Sequence, residues 1–153
     1  MSDNNNNNKQ TYDIYRDSNL RFLGYSNEVG EAFRQLWPKH IVNLTYGIAV
    51  AYVLADTADK GIKAHEKQGS TNKDVAIRAG DVLTWQMFAS VIIPGYTINR
   101  LTKGTSYLVK RFKVPNARYI PTAIGLASIP FIISPIDKLV DYLMDEIYRK
   151  YLK

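Results

Sequence analysis

With 153 residues, the chain has room for one domain and one core. The absence of cysteine excludes disulfides, thiolate metal sites and thiol catalysis. A net charge of +6 and a hydrophobic share of 46% would suit a soluble protein, but the charges avoid three long stretches, which indicates a membrane protein.

The amino-terminal part contains no long apolar stretch. Residues 1–11 include a run of five asparagines, which predicts a disordered tail without a secretory signal or a cleavable organelle presequence. Residues 12–23 and 27–37 are compatible with two short helices. Glu28 and Glu31 share one face of the second helix, and we expect this face to be solvated because carboxylates are normally exposed.

The first predicted membrane span is 39–56, where, tyrosines aside, His40 is the only ionisable side chain between the two ends. Gly47, Ala51 and Ala55 form a stripe of small residues that allows another helix to approach closely in lipid. We take these three as candidate helix-packing residues. Acid–base pairs at four-residue spacing follow, and they predict that the helix continues into water: Asp56 with Lys60, and Asp59 with Lys63.

The second and third predicted spans, 82–99 and 119–136, contain no Asp, Glu, Lys, Arg or His. Eighteen helical residues measure roughly 27 Å, close to the hydrocarbon thickness of a bilayer. Pro94 is expected to kink or end the second helix. In the third stretch, a serine followed by proline and a nearby carboxylate predicts a helix start, so a break at Ser134 stays open beside a full crossing. An amphipathic helix then follows, with three acids expected in water: Asp137, Asp141 and Asp145.

The positive charge has a local origin. Its whole surplus lies in an acid-free segment between the second and third spans. This segment is a candidate contact for anionic lipid, because each cation near an anionic surface contributes about 1 kcal/mol. The alternative is topological, since the positive-inside rule alone would keep such a loop on one side. The six cations are Arg100, Lys103, Lys110, Arg111, Lys113 and Arg118.

We therefore predict an all-α fold: a small multi-pass helical membrane protein with about three spans plus amphipathic helices, in one domain over 12–153. The chain has no phosphate-binding loop, dinucleotide-binding fingerprint or nucleophile elbow. Its two histidines are too few for a histidine metal site or a recognisable triad. We expect no catalytic residue, metal, cofactor or nucleic-acid partner, and hence no enzyme.

Four blocks carry a family resemblance: Tyr15-Arg16-Asp17 with RFLGYSNEVGEAFR (21–34), YGIAVAYVLADTADKG (46–61), WQMFASVIIPGYTINR (85–100) and GLASIPFIISPID (125–137). In this order and spacing they resemble the mitochondrial fission process protein 1 family, small multi-pass proteins of the inner mitochondrial membrane. The resemblance covers most of 15–148 and is weakest at 101–118. It implies a non-catalytic role in mitochondrial fission and in the organisation of the inner membrane.

The resemblance also implies partners and a location. The expected partners are membrane lipids, with cardiolipin as the candidate anionic lipid, and unidentified membrane proteins of the fission apparatus; a homo-oligomer is a further option. With three spans, the amino-terminal region and the basic segment share a side, and the distribution of Lys and Arg predicts that this side is the matrix.

Two other functions stay open. A small carrier or pore could use proline-broken helices with Asn43, Gln86 and Ser90 along a polar path. Against it, no Asp, Glu, Lys or Arg, the residues that commonly mark ion pathways, lies inside the three stretches, between the end residues Lys39 and Asp56 of the first or anywhere in the other two. The third reading is a soluble helical interaction bundle with the apolar helices as its core.

Overall fold

The computed structural model describes residues 12–152, and the predicted disordered tail, 1–11, lies outside this range. Within it every regular element is helical and no strand occurs, so the all-α prediction is confirmed there. Short 3-10 helices lie at Asn19–Tyr25 and Ala117–Tyr119, and π-helical turns at Met87–Ile92 and Met144–Arg149. The α-helices are α1 (Ile14–Asp17), α2 (Ser26–Ala32), α3 (Lys39–His65), α4 (Asn72–Gln86), α5 (Ile93–Arg111), α6 (Ile120–Leu143) and α7 (Lys150–Leu152).

The amino-terminal segment runs back along α3 in the opposite direction. Asp13 pairs with Lys60 at 2.7 Å, near the end of α3. Thirteen residues later, Ser26 donates a hydrogen bond to the backbone carbonyl of Thr45, 2.8 Å away and near the start of α3. The close approach of α2 to α3 requires a glycine at position 30, because a Cβ atom there would overlap the Thr45 hydroxyl.

The helix α2 lies at the centre, in contact with α3, α5 and α6. Helix α3 packs on α4, and α5 packs on α6. Gly125 of α6 allows a close contact with α5 and α2, since a Cβ atom there would lie 2.9 Å from the Thr102 methyl group and 3.0 Å from the Cβ atom of Ala32. Small residues thus set the spacing of the bundle, as in packed membrane helices.

The prolines do not end the helices in which they lie. Pro94 follows directly on the widened turn Met87–Ile92, where the Ile93 amide donates to the carbonyl five residues earlier, and α5 continues beyond it. The side chain of Asn27 supplies a donor to the Val91 carbonyl of this turn at 2.9 Å. The break considered at Ser134 is wrong: α6 is continuous through both of its internal prolines. Neighbouring groups can take over the backbone partners that a proline removes.

The two ends of the bundle differ in what they carry. At one end Arg149 pairs with Asp81 at 2.9 Å, so the carboxyl-terminal part of the chain contacts α4 there. The Asp13–Lys60 pair places the start of the amino-terminal segment at the same end. The connector 112–119 lies at the other end, where α5 stops and α6 begins. The start of the amino-terminal region therefore lies at the end of the bundle opposite the connector, because 12–37 folds back along α3.

Two helical runs within the described residues are long and apolar enough to cross a membrane: Lys39–His65 and Ala117–Leu152. Only 28% and 22% of their most apolar windows are buried inside the protein. These runs contain the first and third predicted spans. The second, 82–99, belongs to the run formed by α4, the π turn and α5, which does not meet the same criterion.

Candidate functional site

The centre of the bundle holds a carboxylate with a full set of donors. Glu31, 2% exposed, lies on α2 and accepts two hydrogen bonds from Arg34, from Nε and Nη2, at 2.6 Å each. The Tyr46 hydroxyl from α3 and the Asn99 amide from α5 each donate to it at 2.8 Å. Burial alone would raise the pKa of Glu31, but the three donor side chains outweigh it and hold the pKa below its ordinary value. Glu31 is therefore ionised and ties three elements together.

A second glutamate one turn earlier is buried without such donors. Glu28 is 0% exposed, and neither of its carboxylate oxygens has a hydrogen-bond partner from another residue. Burial, with a smaller contribution from the nearby Asp137 carboxylate, raises the pKa of Glu28 to about 8. Both glutamates are therefore buried, but the pKa of Glu31 is lowered and the pKa of Glu28 is raised.

The prediction of a solvated face for Glu28 and Glu31 is wrong. It rested on the normal exposure of carboxylates, whereas α2 is enclosed by three helices. Besides the nearby Arg34, the donors to Glu31 come from positions 15 and 68 residues further along the chain, at Tyr46 and Asn99. The sequence feature that could have indicated burial of α2 is the set of small residues at 24, 26, 30 and 32, because small side chains allow other helices to surround a helix closely.

A second polar network lies toward the other end of α3. Asp56 is 0% exposed and accepts hydrogen bonds from Lys60 at 2.8 Å and from Gln86 at 2.6 Å. Ser90 continues the network by donating to the Gln86 side-chain oxygen at 2.8 Å. The predicted pairs of Asp56 with Lys60 and of Asp59 with Lys63 are confirmed, the second at 2.7 Å.

The three carboxylates that converge near this network could be read as a metal site. Asp13, Asp56 and Asp59 bring their oxygens within 4.8 Å of one another. The Lys60 ammonium lies among them, at 2.7, 2.8 and 3.7 Å. It supplies the positive charge that these carboxylates require, so the arrangement is an ion-pair cluster.

The six cations of the predicted lipid contact are all exposed. Arg100 and Lys103 lie within α5, where the Arg100 guanidinium lies 5.1 Å from the centre of the Tyr96 ring. The other four lie at the end of α5 and in the connector. We name these four the basic end: Lys110, Arg111, Lys113 and Arg118. Three aromatic side chains beside them are more than half exposed: Tyr107, Phe112 and Tyr119.

The end of α5 is a Schellman motif, in which Lys113 adopts the left-handed region with φ of 49°. The Lys113 amide donates to the Lys110 carbonyl at 3.3 Å, and the Val114 amide donates to the Val109 carbonyl at 3.2 Å. Glycine is the usual residue at this position. A lysine here places a cation at a site where the backbone would favour another residue.

The predicted small-residue stripe faces outward. Gly47, Ala51 and Ala55 are exposed, and a Cβ atom added at Gly47 would meet nothing within 4 Å. Their exposure leaves this surface open within the described chain. A contact through this surface would need a second molecule.

Comparisons with known proteins agree over most of the chain. A profile of the family described as mitochondrial 18 kDa protein (MTP18) matches residues 13–80 and 69–144. The chain is 48% identical over 144 residues to mitochondrial fission process protein 1 of Danio rerio and 46% identical over 144 residues to that of Homo sapiens; each match covers 90% of this chain and 87% of the relative. The Caenorhabditis elegans protein of that name is 48% identical over 145 residues, with the same coverage. No solved structure matches the chain.

Proposed function

Because the chain belongs to the mitochondrial 18 kDa protein (MTP18) family, we propose that it takes part in mitochondrial fission, the process for which its relatives are named. We propose further that it is a non-catalytic protein of the inner mitochondrial membrane that acts by assembly with lipids and other membrane proteins. Deletion and overproduction should change the shape of the mitochondrial network in opposite directions. An unchanged network under both conditions would overturn the proposed role.

The observation that supports a membrane location is the outward direction of the apolar side chains. Leu44 and Leu54 of α3 are 59% and 54% exposed, and Phe131 of α6 is 79% exposed. Each apolar side chain left in water loses about 25 cal/mol of burial free energy for every Å² of apolar surface that stays exposed. A soluble bundle would bury these windows, whereas acyl chains solvate them.

Carbonate extraction of mitochondria separates these two readings. The protein should stay in the membrane pellet with integral proteins and be released only by detergent. Release into the carbonate supernatant, together with a monodisperse protein in detergent-free buffer, would favour the soluble bundle.

We propose 39–56, 82–99 and 119–136 as the three crossing segments. Support for 82–99 comes from packing, since α4 lies against α3 and α5 against α6. The basic end and Lys39 would then face the matrix by the positive-inside rule, which leaves the carboxyl terminus facing the intermembrane space. A carboxyl-terminal epitope tag should resist protease in intact mitochondria and be digested once the outer membrane is ruptured. Digestion in intact mitochondria would refute the inner-membrane placement, and protection after rupture would refute this orientation.

The basic end supports binding of an anionic lipid, with cardiolipin as the candidate, and Arg100 and Lys103 extend the contact along α5. Exposed aromatic rings next to the cations are typical of the interface between acyl chains and headgroups. At about 1 kcal/mol for each cation near an anionic surface, removal of three should lower cardiolipin retention roughly a hundredfold.

The measurement is the amount of cardiolipin, relative to phosphatidylcholine, that copurifies with the protein in mild detergent. Three lysines near the opposite end provide a control with the same change of net charge. The test variant carries Lys110→Gln, Arg111→Gln and Lys113→Gln, and the control carries Lys63→Gln, Lys67→Gln and Lys73→Gln. Equal retention by wild type and test variant would reject the lipid site and leave the topological explanation of these charges.

The outward small-residue stripe supports contact with a second helix, from another copy or from another membrane protein. The chain has no cysteine, so Ala51→Cys introduces a unique thiol on the stripe. Oxidation in mitochondrial membranes should yield a disulfide-linked dimer if copies meet there. Phe131→Cys, at a strongly exposed position of α6, is the control, and equal dimer yields from both variants would exclude a specific homo-oligomer through the stripe.

A carrier or pore is the second candidate function. The argument against it was the lack of charges within the three apolar stretches, but α2 brings Glu28 and Glu31 into the centre of the bundle from outside those stretches. Buried ionisable groups among membrane helices commonly mark ion pathways. Ion flux into proteoliposomes containing the purified chain tests this function, and flux equal to that of empty liposomes would exclude it.

A further inference from the structure

Glu28 is buried where its charge has nothing to pair with. It lies on α2, which α3, α5 and α6 enclose, and its side chain is 0% exposed. Both carboxylate oxygens lack a donor from another residue. A buried ionised carboxylate without a partner is strongly unfavourable, and such a group takes up a proton instead.

Glu31 provides an internal comparison on the same helix. It is equally buried, at 2% exposure, but receives four hydrogen bonds from three side chains. The local helix and the burial are therefore the same for both glutamates. What differs is that the donors converge on Glu31 and leave Glu28 without any.

The groups facing Glu28 from the surrounding elements disfavour its negative charge. Helix α6 contributes Asp137, an acid, and α3 contributes the hydroxyl of Tyr46. On α2 itself Glu31 is neutralised by Arg34. The α5 side contributes Asn99, a neutral amide bound to Glu31. Among the described residues, no cation pairs with the Glu28 carboxylate.

We propose that Glu28 is a proton-binding site, neutral in the packed bundle, and that loss of its proton loosens the contact of α2 with α6. The step releases one proton from the Glu28 carboxyl oxygen to water and leaves a carboxylate. Asp137 lines an open cavity of about 350 Å³ between the amino-terminal segment, α4 and α6, which gives water access close to the site. Glu28 and Asp137 then carry like charges across the contact of α2 with α6, and Arg21 lines the same cavity as Asp137.

Burial raises the pKa of Glu28 from 4.5 to about 8, so the packed bundle releases this proton near pH 8, and the packing weakens as the pH rises from about 4.5 to 8. The proton site does not depend on the proposed role in fission, since it follows from the packing of α2 alone. Both experiments below use the purified full chain in lipid nanodiscs, so their outcome leaves the fission role untouched.

The first experiment observes the carboxyl groups directly. The chain contains only four glutamates, at 28, 31, 66 and 146, so carbon-13 labelling of the glutamate side-chain carboxyl gives four signals. One of them should titrate with a midpoint near pH 8 and disappear in Glu28→Gln, while Glu66→Gln, at an exposed position, retains it. If all four signals complete their titration below pH 6, or if the signal near pH 8 survives in Glu28→Gln, the proposal is overturned. Should Glu28→Gln not fold, Glu28→Asp also removes one glutamate signal and makes the same assignment.

The second experiment measures the loosening by hydrogen exchange of peptides from α2 and α6. At each pH the wild type is compared with Glu28→Gln, which removes the intrinsic effect of pH on exchange. The ratio of wild-type exchange to Glu28→Gln exchange should rise by up to about tenfold per pH unit between the ordinary glutamate pKa of 4.5 and about 8, and level off above pH 8, because only in this range does the packed state hold a proton that the loosened state has lost. A ratio that stays constant from pH 6 to 9 would refute the coupling of this proton to packing.

Discussion

Replacement of Glu31 by glutamine should destabilise the bundle strongly. Glu31→Gln keeps the shape of the side chain but removes the charge and turns one acceptor oxygen into a donor. The new amide group would face donors on one side, either Arg34 and Tyr46 or Arg34 and Asn99, according to which oxygen it replaces. No rotation of the amide satisfies all of these contacts.

The magnitude follows from the number and kind of bonds lost. A hydrogen bond to a charged group contributes about 1.5–3 kcal/mol, and removal of one partner of a buried ion pair costs about 3–5 kcal/mol. Arg34 recovers part of this loss because its side chain is 27% exposed and can turn toward water. We therefore expect a loss of about 3 kcal/mol, which lowers the melting temperature of a chain of this size by roughly 6–12 °C.

The assay is thermal unfolding by circular dichroism in one detergent at one scan rate, since membrane proteins often unfold irreversibly. The control is Glu66→Gln at an exposed position, which should change stability by less than about 0.5 kcal/mol. The effect also depends on pH. Because the pKa of Glu31 is lowered from 4.5, its contribution is present above pH 4.5 and disappears as the pH falls through the folded-state value. A melting temperature within about 2 °C of wild type at neutral pH would refute the assigned role of the network.

Three further substitutions test the packing and the helix ends. Lys113→Gly should raise stability by about 1 kcal/mol, because glycine adopts the left-handed conformation without strain; a lower melting temperature would contradict the assigned helix end. Gly125→Val should lower the free energy of unfolding by about 2–3 kcal/mol, and the melting temperature with it, since the new side chain would overlap Thr102. The control Gly47→Ala, at an open position, should not destabilise the protein, and equal effects of the two substitutions would contradict the packing. Thr71→Ala removes a capping box and should cost about 1 kcal/mol, measured by chemical unfolding, and no change would exclude a contribution from the cap.

Much of the local organisation could be predicted from the sequence. The acid–base pairs on α3 form as their spacing requires, and the six predicted cations are exposed. The family resemblance inferred from four blocks is confirmed by a profile that matches 13–80 and 69–144. These features depend on neighbours in the chain or on residue type, so they can be read without knowledge of the fold.

The errors concern groups whose surroundings come from distant parts of the chain. Ser134 has the local pattern of a helix start, yet packing of α6 along α5 carries the helix through it. Glu28 and Glu31 have the composition of an exposed face, yet three helices enclose them. The lipid site, the contact through the stripe and the membrane crossing by 82–99 stay predictions.

By itself the sequence determined that the chain is helical, that its apolar residues occur in three long stretches, and that its surplus positive charge is confined to one segment. Only the tertiary structure decided that the amino-terminal segment folds back along α3 and that one of two neighbouring glutamates is paired while the other is not. Periodicity and charge are properties of consecutive residues. The protonation of a buried carboxylate instead depends on which donors reach it, and for Glu31 two of these come from α3 and α5, 15 and 68 positions away.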